Sequence, residues 1–352
     1  MSVSTADCWK RPRRPGVLLA AAIVLAASPV FGQPGDPTGD LVTPQSQQAI
    51  DKGLAYLAAN QHADGSFGSG SYRGNIAVTS LCGMAFMAGG NTPGRGKYGD
   101  HVDRALEYVL ANTTPSGFIT VPAASSHGPM YEHGFGTLFL AECYGMSHRS
   151  DLRDKLTRAV NLIIRTQNAE GGWRYQPVRR DADISVTITQ IMALRAARNA
   201  GISVPKDTVD RTIKYVKGCQ NADGGFRYMI HGGQSAFPRS AAGVVSLYSA
   251  GIYEGPAIEK GLEYLRNQRP RGEEALRSGR THYFYGHYYA VQAMWHAGSP
   301  YWEEWYPAIS GELLRSQHPE GYWVDSVCAE FGTAMACLIL QMPNNYLPIF
   351  QR

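Results

Sequence analysis

Two histidines and a glutamate stand out by type and spacing. His133, His287 and Glu330 fall in a series that otherwise holds small hydroxyls: Thr79, His133, Thr187, Ser240, His287, Glu330. The intervals are 54, 54, 53, 47 and 43 residues. Histidine titrates near neutral pH and ligates metals, so two of them with a carboxylate suit proton transfer. Asp183, four residues before Thr187, adds a second carboxylate. His133, His287, Glu330 and Asp183 are therefore the candidate catalytic residues. The other reading of the histidines is a pair bonded to tyrosines at a wet cavity rim. The chain has no tight ligand spacing such as His-x-x-x-His, so neither a metal nor a cofactor is expected.

Aromatic residues crowd the same positions. His282-Tyr283-Phe284-Tyr285 precedes His287, and Tyr288-Tyr289 follows it. Tyr131, Tyr175, Tyr228 and Phe237 fall near equivalent places in other units. Such rings stabilise cations, stack on sugars, or simply pack. Tyr131, Thr187, Tyr285 and Tyr288 are the candidate ligand-binding residues.

The elements that must position these groups are set by one repeated phrase. Gln61-His62-Ala63-Asp64-Gly65-Ser66-Phe67 returns as Gln167 to Trp173, Gln220 to Phe226 and Gln317 to Trp323. Each reads Gln-x-x-acid-Gly-x-aromatic. Gln61 and Gln167 are 106 residues apart, twice the 53 between Gln167 and Gln220. A fixed period near 50 residues marks a repeat architecture. In the second unit the phrase is reduced to Ser116-Gly117-Phe118, and in the fifth Gln268 leads into Arg269-Pro270-Arg271-Gly272-Glu273-Glu274.

Before each phrase lies an amphipathic helical pattern, and after it a more apolar one that stops at glycine. The expected pairs are 48–60 with 76–88, 101–111 with 131–146, and 152–166 with 184–200. The remaining three are 206–219 with 239–250, 256–267 with 286–297, and 302–316 with 328–341. Polar helices form an outer wall and apolar helices an inner barrel. The last apolar helix, with Cys337-Leu338-Ile339-Leu340, lacks the polar face that would cap an open solenoid. Closure is expected: an all-α fold, an α6/α6 double barrel or toroid. Each expected inner N-terminus carries one member of the series above, so His133 and His287 should face each other across the mouth. The small hydroxyls Thr79, Thr187 and Ser240 are what N-cap preference would place there.

The phrase resembles the repeat of squalene–hopene cyclases and of protein prenyltransferase β subunits, over about residues 45–345. The resemblance implies that the phrase ties neighbouring outer helices together and that ligands bind in the central cavity. It also brings a difficulty. Squalene–hopene cyclases protonate an alkene with the middle aspartate of Asp-x-Asp-Asp-Thr, and the matching stretch here is Asp183-Ile184-Ser185-Val186-Thr187. Ser185 stands at the acid's place, and Asp183 suits a helix N-cap. The prenyltransferase zinc pair Asp-x-Cys is missing, as is the Gly-Cys-Gly-Glu-Gln of thioester toroids. What the resemblance implies is a toroid that binds or acts on an apolar, isoprenoid-like ligand. Alternatives are a non-catalytic binding or scaffold toroid and a glycan-active one. Glycan cleavage needs two carboxylates flanking the bond, and Asp183 and Glu330 are the pair available.

Residues 1–32 read as a signal peptide: Lys10, Arg11, Arg13 and Arg14, then the apolar run Val17–Ala27, with cleavage near Gly32. A secreted or periplasmic location follows, with a linker at 33–44 and a single toroid domain at 45–352. The formal charge of +4 falls to +1 without the leader, which argues against a nucleic-acid partner. No further stretch is long enough to span a membrane. Cys82, Cys143, Cys219, Cys328 and Cys337 are odd in number and scattered, which is no disulfide framework.

Overall fold

The computed structural model describes residues 42–124, 128–270 and 282–351. The expected leader at 1–32 lies outside them, as do positions 33–41 of the expected linker and positions 271–274 of the fifth phrase. Six helix pairs appear: α1 (Pro44–Asn60) with α2 (Ile76–Ala88), α3 (Gly99–Ala111) with α4 (Pro129–Tyr144), and α5 (Leu152–Thr166) with α6 (Ile184–Asn199). The series continues with α7 (Lys206–Gly218) and α8 (Phe237–Ser249), α9 (Pro256–Arg266) and α10 (Tyr283–Ala297), then α11 (Tyr301–Ser316) and α12 (Ala329–Leu340). Helix α1 starts one residue inside the expected linker because Thr43 caps it, its hydroxyl accepting from Ser46 N at 3.1 Å. No β-strand occurs among the described residues.

The even-numbered helices form a closed inner barrel. They touch in the order α2–α4–α6–α8–α10–α12, and α12 returns to α2. Each odd-numbered helix packs on two of them, its own partner and that of the preceding unit. Patterning explains the layering. All of α2 is buried, as an all-round apolar helix must be. In α5 the buried set is Leu152, Leu156, Ala159, Val160 and Ile163 with two neighbours, a single stripe facing inward.

The repeated phrase is the seam between units. The Nε2 of Gln61 donates to Gly65 O in its own turn and to His101 O in the next outer helix, both at 2.9 Å. Gln167 reaches Thr208 O, Gln220 reaches Ala257 O, and Gln317 reaches Ala49 O at 2.8 Å. The last bond joins the sixth unit to the first and closes the ring. The glycine of the phrase lets the turn press on that same helix. Gly171 has φ +101°, and a Cβ there would lie 2.2 Å from Arg211 O. The tryptophans reach backward instead, with Trp173 Nε1 donating to Ile163 O and Trp323 Nε1 to Leu313 O.

The opposite end of the barrel is closed by the C-terminal residues. Ile349 N donates to the carboxylate of Glu142 at 3.3 Å, and Arg195 Nη2 donates to Gln351 O at 2.7 Å. Burial raises the Glu142 carboxyl to about 8. All five cysteines of the described residues are free and buried. No helix among those residues is long and apolar enough to cross a membrane.

Candidate functional site

The small hydroxyls fasten the seams to the inner barrel. Phe67 N donates to Thr79 Oγ1 at 3.0 Å, Trp173 N to Thr187 Oγ1 at 3.1 Å, and Phe226 N to Ser240 Oγ at 2.8 Å. In the sixth unit Trp323 N donates to Thr333 Oγ1 at 3.0 Å. These hydroxyls do not cap helices; Asn75 and Asp183 do that for α2 and α6. The sixth member of the series is thus Thr333, and Glu330 lies nearly a turn earlier.

His133 takes the same structural part in unit two. Its Nδ1 accepts from Ile119 N at 3.2 Å, and its Nε2 donates to Ala159 O at 3.2 Å on the outer helix α5. Both nitrogens are used, no surface is exposed, and burial holds the imidazole down to about 3. It is a neutral fastening between the barrels. His287 also turns outward, with ring centroids 4.8 Å from Phe237, 4.5 Å from Tyr283 and 5.9 Å from Trp305 of α11. The expectation that two histidines face each other across the mouth is therefore corrected. Glu330 is buried too, accepting from Ser69 Oγ at 3.0 Å and so tying the last inner helix to the first unit.

Helix geometry explains the correction. Two residues along a helix turn about 200°, so if the fastening residue faces outward, the residue two before it faces the barrel axis. That set is Ala77, Tyr131, Ser185, Pro238, Tyr285 and Phe331, one per inner helix, and all six line one cavity of about 420 Å³. Its walls add Tyr72, Phe135, Tyr175 and Tyr228, and its polar groups include Asn75, Arg239, His282 and Asp325. The cavity sits at the N-terminal mouth of the inner barrel. Below it the barrel is filled by rings. Tyr285 meets Tyr289 at 4.8 Å, Tyr289 meets Tyr288 at 4.9 Å, and Tyr288 meets Phe350 at 6.3 Å. Of the expected ligand-binding residues, Tyr131 and Tyr285 line the cavity. Thr187 is a fastening hydroxyl, and Tyr288 belongs to the filled barrel below.

Ser185 is on the cavity wall, and the Tyr285 hydroxyl donates to its carbonyl at 3.0 Å across the mouth. Asp183 is behind it, fully buried, with Oδ1 accepting from Ser185 N and Val186 N at 2.9 Å. Arg174 Nε lies 3.8 Å from its Oδ2. Burial raises the carboxyl to about 6, against the two backbone bonds, the nearby Tyr228 hydroxyl and Arg174. Asp325 is a carboxylate on the wall itself. Burial raises it as well, opposed chiefly by the bond from Val327 N at 2.8 Å.

Comparison with known proteins places this arrangement. The prenyltransferase alpha-alpha toroid domain matches residues 40–160, and the squalene-hopene cyclase C-terminal domain matches residues 136–289. The two matches overlap and run together over residues 40–289, so the chain is similar to squalene cyclase and prenyltransferase toroids. A drimenyl diphosphate synthase from Streptomyces showdoensis is 26% identical over 179 residues, 51% of this chain. The match spans only 32% of that relative's length. A type II terpene cyclase from Scytonema, solved with geranylgeranyl dihydroxybenzoate, shares the fold at TM-score 0.60 and 15% identity, covering 86% of this chain and 98% of that one. So does a cellobiose 2-epimerase from Bacillus thermoamylovorans, at 0.62 and 12%, covering 84% and 98%. An α-1,6-mannanase from Salegentibacter does as well, at 0.58 and 8%, covering 85% and 99%. Within the superfamily fold, the residues that sequence reasoning missed are Asn75, Arg239, Asp325 and Phe331. The signal for the wall was present as the position two before each fastening residue.

Proposed function

We propose that this toroid takes an apolar, isoprenoid-type ligand in the mouth of its inner barrel. One observation carries the reading: a cavity of about 420 Å³ ringed by five tyrosines and two phenylalanines. Small-molecule sites fall in the range of roughly 300–1,000 Å³ and are mostly apolar. Facing rings both bury a polyene and stabilise a cation formed on it. If the protein is an enzyme, it is of the terpenoid cyclase or prenyltransferase type, and Tyr131 and Tyr285 bind its ligand. The glycan reading is weaker. Among the described residues the wall offers one carboxylate, Asp325, where glycoside cleavage uses two. The leader at 1–32 supports export before ligand binding, and N-terminal sequencing of the cell-free protein checks that step.

The test is ligand-induced thermal stabilisation of the full chain. Geranylgeraniol should raise Tm, because a ligand that binds only the folded state stabilises it by mass action. Mannotriose and cellobiose should leave it unchanged. Ala77→Trp, which puts a ring into the cavity, should abolish the geranylgeraniol shift. A shift with the glycans alone would overturn the reading.

A further inference from the structure

Asn75 uses only half of its side-chain amide. The residue is 2% exposed and lines the cavity. Its Oδ1 caps α2, accepting from Ala77 N at 2.9 Å and from Val78 N at 3.2 Å. Those bonds turn the Nδ2 of the same planar group away from the helix, and among the described residues Nδ2 meets no acceptor. A helix cap explains the oxygen and not the nitrogen, and a buried donor is costly to leave unmade. Asp325 stands on the adjoining stretch of wall. Asn75 precedes the inner helix of unit one and Asp325 that of unit six, and those helices, α2 and α12, are neighbours. Gly332 lets the turn that carries Asp325 press on α12: a Cβ there would lie 2.6 Å from Trp323 O and 3.2 Å from the Asp325 Cβ. The Asp325 Oδ1 accepts from Val327 N at 2.8 Å and from Ser326 Oγ at 3.5 Å, which leaves Oδ2 able to accept. Tyr72 connects the two residues. Asn75 N donates to Tyr72 O at 3.0 Å, and the Tyr72 phenol is raised by burial, by Cys328 and by the charge of Asp325.

Building on the isoprenoid reading above, we infer that Asn75 and Asp325 form a head-group subsite that selects a ligand ending in a free hydroxyl. The Asn75 Nδ2 donates to the hydroxyl oxygen, and the hydroxyl donates its own proton to the Asp325 carboxylate. No covalent bond is made or broken. A hydroxyl suits the pair because one atom both accepts and donates. An ether accepts from Asn75 but has nothing to give Asp325. A diphosphate brings negative charge to a stretch of wall that already carries a carboxylate. Arg239, the side chain suited to that charge, belongs to unit four, opposite unit one, and its Nη2 donates to Gln234 O at 2.8 Å. The apolar remainder of the ligand then lies against Phe331, Phe135 and Tyr131, which line the same cavity.

The experiment compares geranylgeraniol, its methyl ether and its diphosphate by thermal shift over a concentration series, on the full chain and on two variants. Wild type should bind the alcohol about tenfold more tightly than the ether, the scale of one hydrogen bond, and more tightly than the diphosphate. Asp325→Asn keeps the bond from Val327 N but turns the available acceptor into a donor, so alcohol and ether should bind alike. Asn75→Ser keeps a capping oxygen and removes the amide donor, so alcohol and ether should weaken together, by about tenfold. The Tm of the unliganded variant reports whether the cap survives, and if Asn75→Ser fails to fold, the Asp325→Asn comparison decides alone. Three results would overturn the subsite and leave the isoprenoid reading intact: equal binding of alcohol and ether by wild type, tighter binding of the diphosphate, or a preference for the alcohol that survives Asp325→Asn. No shift with any of the ligands would instead sink the isoprenoid reading.

Discussion

The seams and the mouth follow opposite rules. At the seams four units use the same phrase, and the same bonds recur: glutamine to the next outer helix, backbone N–H to a hydroxyl one or two turns into the inner helix. At the mouth the equivalent positions hold Ala77, Tyr131, Ser185, Pro238, Tyr285 and Phe331, five residue types in six places. Periodicity builds the ring, and departure from it shapes the cavity. Residues that interrupt a periodic series need not be functional, however. His133 interrupts the hydroxyl series yet makes the same bond, with its second nitrogen reaching one helix further.

The strongest way to break this comparison is at a seam. Trp173→Ala removes a buried indole and its bond to Ile163, and should cost about 3–5 kcal/mol, the usual range for such a deletion. Thermal denaturation should show a large fall in Tm. Little change would mean the seams do not hold the ring. His133→Ala removes a fully buried ring, the acceptor of the buried Ile119 N and a donor to Ala159 O, and should cost about 2–5 kcal/mol. If His133→Ala kept its Tm but lost the geranylgeraniol shift, the assignment of His133 to the seam would be wrong. Gln317→Ala opens the bond that joins the last unit to the first, with a smaller expected loss of about 1–3 kcal/mol. Chemical denaturation of Gln317→Ala beside Gln220→Ala, which makes the same two bonds, compares the closing seam with an internal one, and equal losses are expected.

Most of the ring was legible in the sequence. The expected helices fall within a few residues of the observed ones, because the phrase recurs and the apolar period changes on either side of it. Asp183, expected as a cap, accepts two backbone N–H groups at the start of α6. The site was legible only in part. Aligning helices on their apolar cores found the residues that touch the outer barrel, since those recur, and placed them at the mouth. The wall residues lie about 200° away on the same helices and vary in type, so only their place two before each fastening residue marks them, and Arg239 falls outside even that. Asp325 precedes its helix in a loop, where period gives no guidance.

A subtler comparison sets the closed end against the open one. The ordinary value for Glu142 is 4.5, and burial lifts it to about 8 in the folded chain. Between these values the folded state binds more protons than the unfolded state, so stability falls as pH rises through that window and then levels. Glu142→Gln should flatten this slope. Its Tm should match wild type near pH 4.5 and exceed it above pH 8. Parallel pH profiles for the two proteins would show that Glu142 is ionised in the folded state throughout.

Where a ligand sits decides most directly between the mouth and the seams. A benzophenone-bearing geranylgeranyl probe, photolysed with the full chain and mapped by peptide mass spectrometry, reports that position. It should label the peptides that carry Tyr285 and Phe331, and Ala77→Trp should remove the label. Labelling confined to the outer helices, or to the peptides bearing His133, would contradict a binding site in the mouth of the inner barrel.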